Sequence, residues 1–529
     1  MGTTSDKLTY LSGTKDKLKT AINYTGANIT NDTFRSYPEK LYNEYIDIIN
    51  NGTDTLYANM PKVTGTGTNL TLNNTKEAPV LLSLYGDTQQ DSTPTPSSPQ
   101  EIHNVSGDNT IEICGKNIAK SKYVDSTTTN YAKVLFVEFE IKPNTTYTFS
   151  FNGTSGNIVY FNENIFTTSP YITFGSSRAK ATITTKSEIP TSQYTANKGW
   201  AICKNAAGNT SANVFDDLQV EKGSSASEYE AYKGQSQLIS LGVENLFDIS
   251  TITTGKTINQ GTGNVTTDAS NRDTSDFIKV KPNTQYTCST TMTRYAYYDE
   301  NKTFKNFYTG GTTITTNSDT QYIRFSYDNS LTNIQFEKGT KKNSFTPYGV
   351  QPIELCKIGN YQDYIYKTDK WYLHKEIGKV VLDGSETIIF DGSTSTPSQR
   401  STFRITISNN PKTTDYISNR FIKGSSTSNR LIFVANNNKP YISLEDAITG
   451  INTSDSNTEK INKLKSWLST HNTIVYYVLA TPTDTEITDT TLLEQLETIK
   501  RSYDGVTNIS QENNDLPFII TASAIKEYE

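Results

Sequence analysis

Cysteine, methionine, tryptophan and histidine are scarce in these 529 residues, at four, three, three and three. Cys114, Cys203, Cys288 and Cys356 lie far apart and none forms a C-x-x-C pair, which excludes zinc-ribbon and thioredoxin-type readings and leaves free thiols as the expectation. His103, His374 and His471 share no local carboxylate or cysteine pattern, so no metal, no triad and no cofactor are expected. No run of about 18 apolar residues occurs. Met1-Gly-Thr-Thr-Ser-Asp6 carries no apolar h-region and has Asp where a myristoylation signal has Ser or Thr, so membrane insertion is not expected. Positive charge is not in excess either. The 49 basic and 55 acidic residues give a net charge of -6 and are spread along the chain, which excludes the basic stripe of a nucleic-acid binder.

Apolar residues are also few. They make up 34% of the chain, against roughly 45–50% in an average globular protein, so cores should be thin. Thr, Asn, Ser and Tyr fill the gap, with 33 Tyr alone. That composition favours antiparallel sheets with one wetted face over buried parallel sheets.

Against this background one stretch occurs twice. Val214-Phe-Asp-Asp-Leu-Gln-Val-Glu-Lys-Gly223, running on to Tyr232, returns as Leu331-Thr-Asn-Ile-Gln-Phe-Glu-Lys-Gly339, running on to Tyr348. Ile141-Lys-Pro-Asn-Thr-Thr-Tyr147 precedes the first and Val280-Lys-Pro-Asn-Thr-Gln-Tyr286 the second, in the same order. Two motifs repeated in one order mark a duplicated module. Alternating segments such as Leu135-Phe-Val-Glu-Phe-Glu-Ile141 and Tyr322-Ile-Arg-Phe-Ser-Tyr327 sit between Pro-Asn and Gly turns, the pattern of a jelly-roll sandwich. The first copy is longer, mostly between Phe166 and Trp200, where Tyr171–Phe174 and Ala181–Thr185 suggest an added strand pair.

The fold class expected is therefore mainly β, in five units. Residues 1–52 are a helical hairpin: Leu8, Leu11, Leu18 and Ile22 line one helical face, and Leu41, Tyr45 and Ile48 a second. Such a hairpin is too small to stand alone and needs a partner, either this chain's next unit or, in a homotrimer, further copies. Residues 53–110 read as a β and extended connector that includes the polyproline-like Ser92–Pro99. Modules 1 and 2 occupy 111–235 and 236–349. Residues 350–529 form a third sandwich with helices at 458–468 and from Leu492, the latter capped by Asp489 or Thr490.

No Walker, Rossmann, H-E-x-x-H or G-x-S-x-G motif stands in a credible context, and no catalytic residue is expected. Among carboxylate pairs, Asp299-Glu300 reads as a polar turn, and Asp216-Asp217 is not shared between the copies. Glycan-cleaving enzymes need two acids flanking the bond, so the pairs make a weak case. Aromatics remain. A Tyr or Trp face stacks on a sugar ring, and the tyrosines read as loop residues, Tyr194 and Tyr308, are the candidate ligand contacts. Tyr147 and Tyr286 read as core, and Trp467 as a packing anchor.

Four stretches together resemble minor structural proteins of tailed-phage virions and prophages. They are Leu8-Thr-Tyr-Leu-Ser-Gly-Thr-Lys-Asp-Lys-Leu18 with Phe34-Arg-Ser-Tyr37; Tyr85-Gly-Asp-Thr-Gln-Gln90 with Thr93-Pro-Thr-Pro96 and Gly115-Lys-Asn117; the Gln-x-Glu-Lys-Gly endings; and Tyr476-Tyr-Val-Leu-Ala-Thr-Pro482 before Leu492. The resemblance implies a multimeric, non-enzymatic protein of fibre or baseplate type, with a head fibre or a spacer as alternatives. Its N-terminal element would dock on other virion proteins, and its carbohydrate-binding-like modules would face a host-surface glycan.

Overall fold

The computed structural model describes residues 60–125, 133–140, 142–152, 158–161, 171–173, 179–188, 198–204, 216–267, 271–395, 398–423, 429–511 and 516–527. The anchor residues Leu8, Leu11, Leu18, Ile22, Leu41, Tyr45 and Ile48 lie outside them, as does Tyr194. Within them the chain is mainly β, as expected, and is built of antiparallel sheets.

A seven-stranded sheet forms the spine. Its order is Lys62–Gly67, Ile519–Ile525, Leu81–Tyr85, Tyr364–Lys367, Trp371–Leu382, Thr473–Glu486, Pro411–Ser418. At one end a four-stranded sheet (Gly234–Ser240, Asp108–Cys114, Gly505–Gln511, Leu70–Thr75) packs on it. Leu72, Leu84, Ile113, Ile365, Trp371, Ile509 and Ile520 fill that core. At the other end a second four-stranded sheet (Ile388–Thr394, Arg400–Ile405, Asn437–Glu445, Arg430–Val434) closes a separate core around Leu382, Phe403, Ile442, Val475 and Tyr477.

The connector 53–110 and the block 350–529, expected as separate units, thus share both sheets of the first sandwich. Ile519–Ile525 runs between Lys62–Gly67 and Leu81–Tyr85, and Gly505–Gln511 between Leu70–Thr75 and Asp108–Cys114. The early strands carry apolar alternation but are too few to close a sheet, so they recruit distant ones. Ser92–Pro99, expected as an extended connector, is the loop between the paired strands Thr88–Gln90 and Ile102–Asn104. Pro94 and Pro96 are buried there. The loop is fastened by Gln100 N donating to Asn419 O (2.8 Å) and Arg420 Nη1 to Pro96 O (2.5 Å).

Both modules are insertions in this platform. Cys114 lies opposite Gly234 in paired strands, so module 1 leaves and re-enters at one place. Module 2 leaves after Leu241 and returns at Ile353, whose N–H donates to Leu241 O (2.9 Å). Module 1 has a five-stranded and a three-stranded sheet; module 2 repeats the three-stranded order and three strands of the larger sheet, but Arg272–Thr274 and Ile278–Lys279 together take the place of the single strand Lys133–Glu140, and a hairpin, Lys256–Ile258 with Val265–Thr267, forms a sheet of its own. Tyr171–Thr173 occupies the place of Phe304–Thr309, and Ala179–Thr184 that of Thr313–Thr315. The added strand pair expected in module 1 is therefore not an addition; the extra length falls between shared strands.

The duplicated residues build the same scaffold twice. Tyr147 OH accepts Lys142 N (3.0 Å) and Tyr286 OH accepts Lys281 N (2.7 Å), tying each Lys-Pro-Asn-Thr turn to its strand. Asn144 and Asn283 both sit at φ 48 in those turns, the left-handed region that Asn tolerates. The Gln-x-Glu-Lys-Gly endings form a clasp. Gln219 Oε1 accepts Glu230 N (2.6 Å) and Gln335 Oε1 accepts Thr346 N (2.9 Å). Glu221 is capped by Ser227 N and Oγ (3.0 and 2.6 Å), and Glu337 by Asn343 N and Nδ2 (2.8 and 2.9 Å). At the entry to each module Asn117 or Asn245 crosses the clasp, its Nδ2 donating to two backbone carbonyls and its Oδ1 accepting two backbone N–H groups.

The C-terminal helices follow their sequence signals. Ser456 and Glu459 form a capping box for Asn457–Thr470, which seats Leu464, Trp467 and Leu468 in the second core. Asp489 Oδ1 accepts Leu492 N (2.7 Å) to start Thr490–Thr498.

Candidate functional site

In the spine sheet, period-two alternation sends Leu82, Leu84, Ile365, Trp371, Leu373, Ile520 and Ala522 into the first core. The residues between them must face the other way. On that side stand Tyr85, Tyr364, Tyr366, Tyr372 and His374, all half-buried. Register makes them neighbours. Tyr364 lies opposite Tyr85 on one side and His374 on the other, and Tyr366 lies opposite Tyr372. The rings form a ladder with centroid steps of 4.8 Å (Tyr85 to Tyr364), 4.5 Å (Tyr364 to His374), 5.3 Å (Tyr364 to Tyr366) and 5.7 Å (Tyr366 to Tyr372).

Asp484, opposite His374 in the next strand, organises the polar side of the ladder. Its Oδ1 lies 2.8 Å from His374 Nδ1 and accepts from Tyr366 OH at 3.1 Å. The His374 hydrogen bond, followed by that from Tyr366, holds the Asp484 carboxyl below its ordinary range. Partial desolvation pushes the Tyr364 and Tyr366 hydroxyls up, so both stay protonated donors at neutral pH. The same face continues in hydroxyl pairs, Thr64 to Ser523 (3.3 Å) and Thr66 to Thr521 (3.1 Å).

Ring stacking across strands supplies the contact that a covering layer would otherwise provide, about 0.5–1.5 kcal/mol per pair. The ladder combines half-buried aromatic rings, phenolic hydroxyls and one carboxylate. Hydroxyls and a carboxylate arranged in this way can hydrogen-bond a polyhydroxylated chain. This site is missing from the sequence-based candidates. The signal was nonetheless present, in Tyr364-Ile-Tyr366 and Tyr372-Leu-His374, where aromatics alternate with aliphatics.

The sequence candidates stand elsewhere. Tyr308, expected on a loop, lies on the strand Phe304–Thr309, and one face of its ring is stacked on Tyr295 (5.0 Å, 17°) at the margin of the module 2 core. Strand alternation, not turn chemistry, positions it. Tyr147 and Tyr286 are buried, as read, at 0% and 2% exposure. Asp299 closes a turn by accepting Asn301 N and Thr303 N (2.9 Å each). The Asp216 side chain lies outside the description, and Asp217 sits at φ 55 beside a break in strand register. The three histidines are dispersed: His103 pairs with Asp91 (2.8 Å) and His471 stacks on Trp467 (4.7 Å). Among the described residues no group of three or more His, Cys, Asp and Glu is placed to hold a metal, and no helix is long and apolar enough to cross a membrane. Cys288 and Cys356 are buried free thiols, and Cys114 is buried.

A cleft of about 220 Å³ opens between platform and module 2, lined among others by His103, Asp108, Lys338, Asn343, Glu354 and Tyr476. Its carboxylates are already engaged: Glu354 takes Lys379 Nζ (2.9 Å) and Tyr476 OH (2.8 Å). Asp108 takes Ser240 Oγ (2.6 Å) and Ser344 N (2.7 Å). The cleft is a polar joint between units.

No family model matches the sequence, and neither a curated protein nor a solved structure matches the chain.

Proposed function

We propose that this chain is a non-enzymatic structural protein of a tailed-phage or prophage virion, of fibre or baseplate type, that contributes to attachment at a host-surface glycan. The observation that carries the reading is the half-buried tyrosine ladder on the face of the spine sheet opposite the first core, with Asp484 and a border of threonine and serine hydroxyls. The resemblance of the four sequence stretches supplies the virion setting. Residues 1–52 dock it to other virion proteins and, through their apolar faces, to two further copies of itself.

The test is adsorption. Purified chain should bind host cells or their wall glycans and block infection by the virion, and Tyr366→Ala with Tyr372→Ala should lose both effects while folding normally. A wild-type chain that binds no host surface would sink the attachment reading. A second reading, a spacer or capsid-attached head fibre, is favoured by the two modules growing from one platform at paired strands. Under it, excising module 1 between Cys114 and Gly234 should shorten a visible projection and leave adsorption intact.

A further inference from the structure

Module 2 meets the platform through polar groups at three levels. At the root, Ile353 N donates to Leu241 O (2.9 Å), and Leu355 N to Val105 O (2.9 Å). Above it, Asp108 N donates to Asn343 Oδ1 (2.9 Å), and the Asp108 carboxylate receives Ser344 N and Oγ (2.7 and 2.9 Å). Furthest out, Glu101 of the platform is gripped by two lysines of module 2, Lys281 on Oε1 (2.9 Å) and Lys338 on Oε2 (2.5 Å). The apolar cores of module 2 and the platform are separate clusters, and the cleft lies inside the joint.

The two lysines belong one to each duplicated motif, Lys281 to Lys-Pro-Asn-Thr and Lys338 to Gln-x-Glu-Lys-Gly. Tyr286 brings them together: it lies opposite Lys338 in the sheet and its hydroxyl accepts Lys281 N. Turns follow both lysines, with Asn283 at φ 48 and Gly339 at φ 118. Burial alone would raise the Glu101 carboxyl, but the ion pairs with Lys338 and Lys281 hold it at about 2. A polar joint between two separately cored units permits relative motion, and ion pairs of this exposure weaken with salt.

We propose that the Lys281–Glu101–Lys338 fork is a salt-sensitive latch that sets the orientation of module 2 on the platform, with module 2 turning about its root at Leu241 and Ile353 when the latch opens. Ionic conditions then tune how one module is presented relative to the spine sheet.

The experiment is single-molecule energy transfer in the full chain, with Cys203→Ser and dyes on cysteines placed at Thr309 and Thr394, both exposed. One narrow population at low salt should broaden as salt rises toward about 1 M. Glu101→Lys combined with Asp108→Asn should be broad at every salt concentration. A Glu101→Cys, Lys338→Cys pair, oxidised, should restore the narrow population at high salt. Glu101→Asp, which folds with the least disturbance, should broaden at lower salt than wild type. A double variant whose distribution stays as narrow as wild type throughout would overturn the latch, as would a broad distribution in the oxidised pair.

Discussion

The two modules share a scaffold and differ in how they are held. Inside each, an asparagine, a turn tyrosine, a glutamine and a glutamate make the same backbone contacts. At the foot the copies diverge. The clasp of module 2 reaches outward, because Asn343, which caps Glu337, also receives Asp108 N from the platform. In module 1 the corresponding cap is Ser227, which bonds Glu221 and stays within the module. Gly107, at φ 67, lets the platform approach: a Cβ there would lie 2.7 Å from Asn343 Oδ1. Duplication therefore preserved what folds a module and left free what fastens it.

The largest effect should come from the crossing asparagine. Asn245→Ala strands four backbone partners at 2.9–3.0 Å and should cost at least about 3 kcal/mol, unfolding module 2 while the platform persists, as read by strand-resolved hydrogen exchange. Asn117→Ala should cost less in module 1, whose four bonds span 3.0–3.3 Å; equal losses would break the proposed ranking. Next, Tyr286→Phe and Tyr147→Phe each leave a turn N–H unmet and should cost about 1–2 kcal/mol, measured by urea denaturation.

Smaller and opposite in sign are the two carboxylates at the module 2 foot. Burial raises the Glu337 carboxyl despite its bonds from Asn343. Folded Glu337 thus holds its proton more tightly than the unfolded chain does, and its contribution falls as pH rises from the ordinary carboxylate range through the folded value. Glu101 is depressed to about 2, so its contribution is complete above the ordinary range and is lost as pH falls toward that value. Glu337→Gln should remove the first slope and Glu101→Gln the second in melting curves taken across pH. At neutral pH the Glu101 change should be about 1 kcal/mol or less.

Much of this comparison was legible in the sequence. The paired motifs declared the duplication, and Ser456 with Glu459 and Asp489 declared the helix starts, because caps and turns are local chemistry. The platform was not legible in that way. Leu70, Leu72, Leu82 and Leu84 show alternation but nothing in them names partners more than four hundred residues away, and register across such separations is decided by packing. The ladder falls between these cases. Its alternation is local, but that Tyr85 would stand beside Tyr364 depended on a pairing of distant strands. Tyr308 misled because a turn-rich neighbourhood hid a strand.

The pairing of Lys62–Gly67 and Leu81–Tyr85 with Ile519–Ile525 carries a consequence for synthesis. Thr64 and Ser523, which touch across this sheet, are 459 residues apart. Each inserted module has its own sheets and can collapse as it leaves the ribosome, whereas the platform strands wait with unpaired edges until residues 505–525 arrive. The spine is thus begun before either module and completed after both. A nascent chain stalled inside module 2 would carry a finished module 1 on an open, adhesive root.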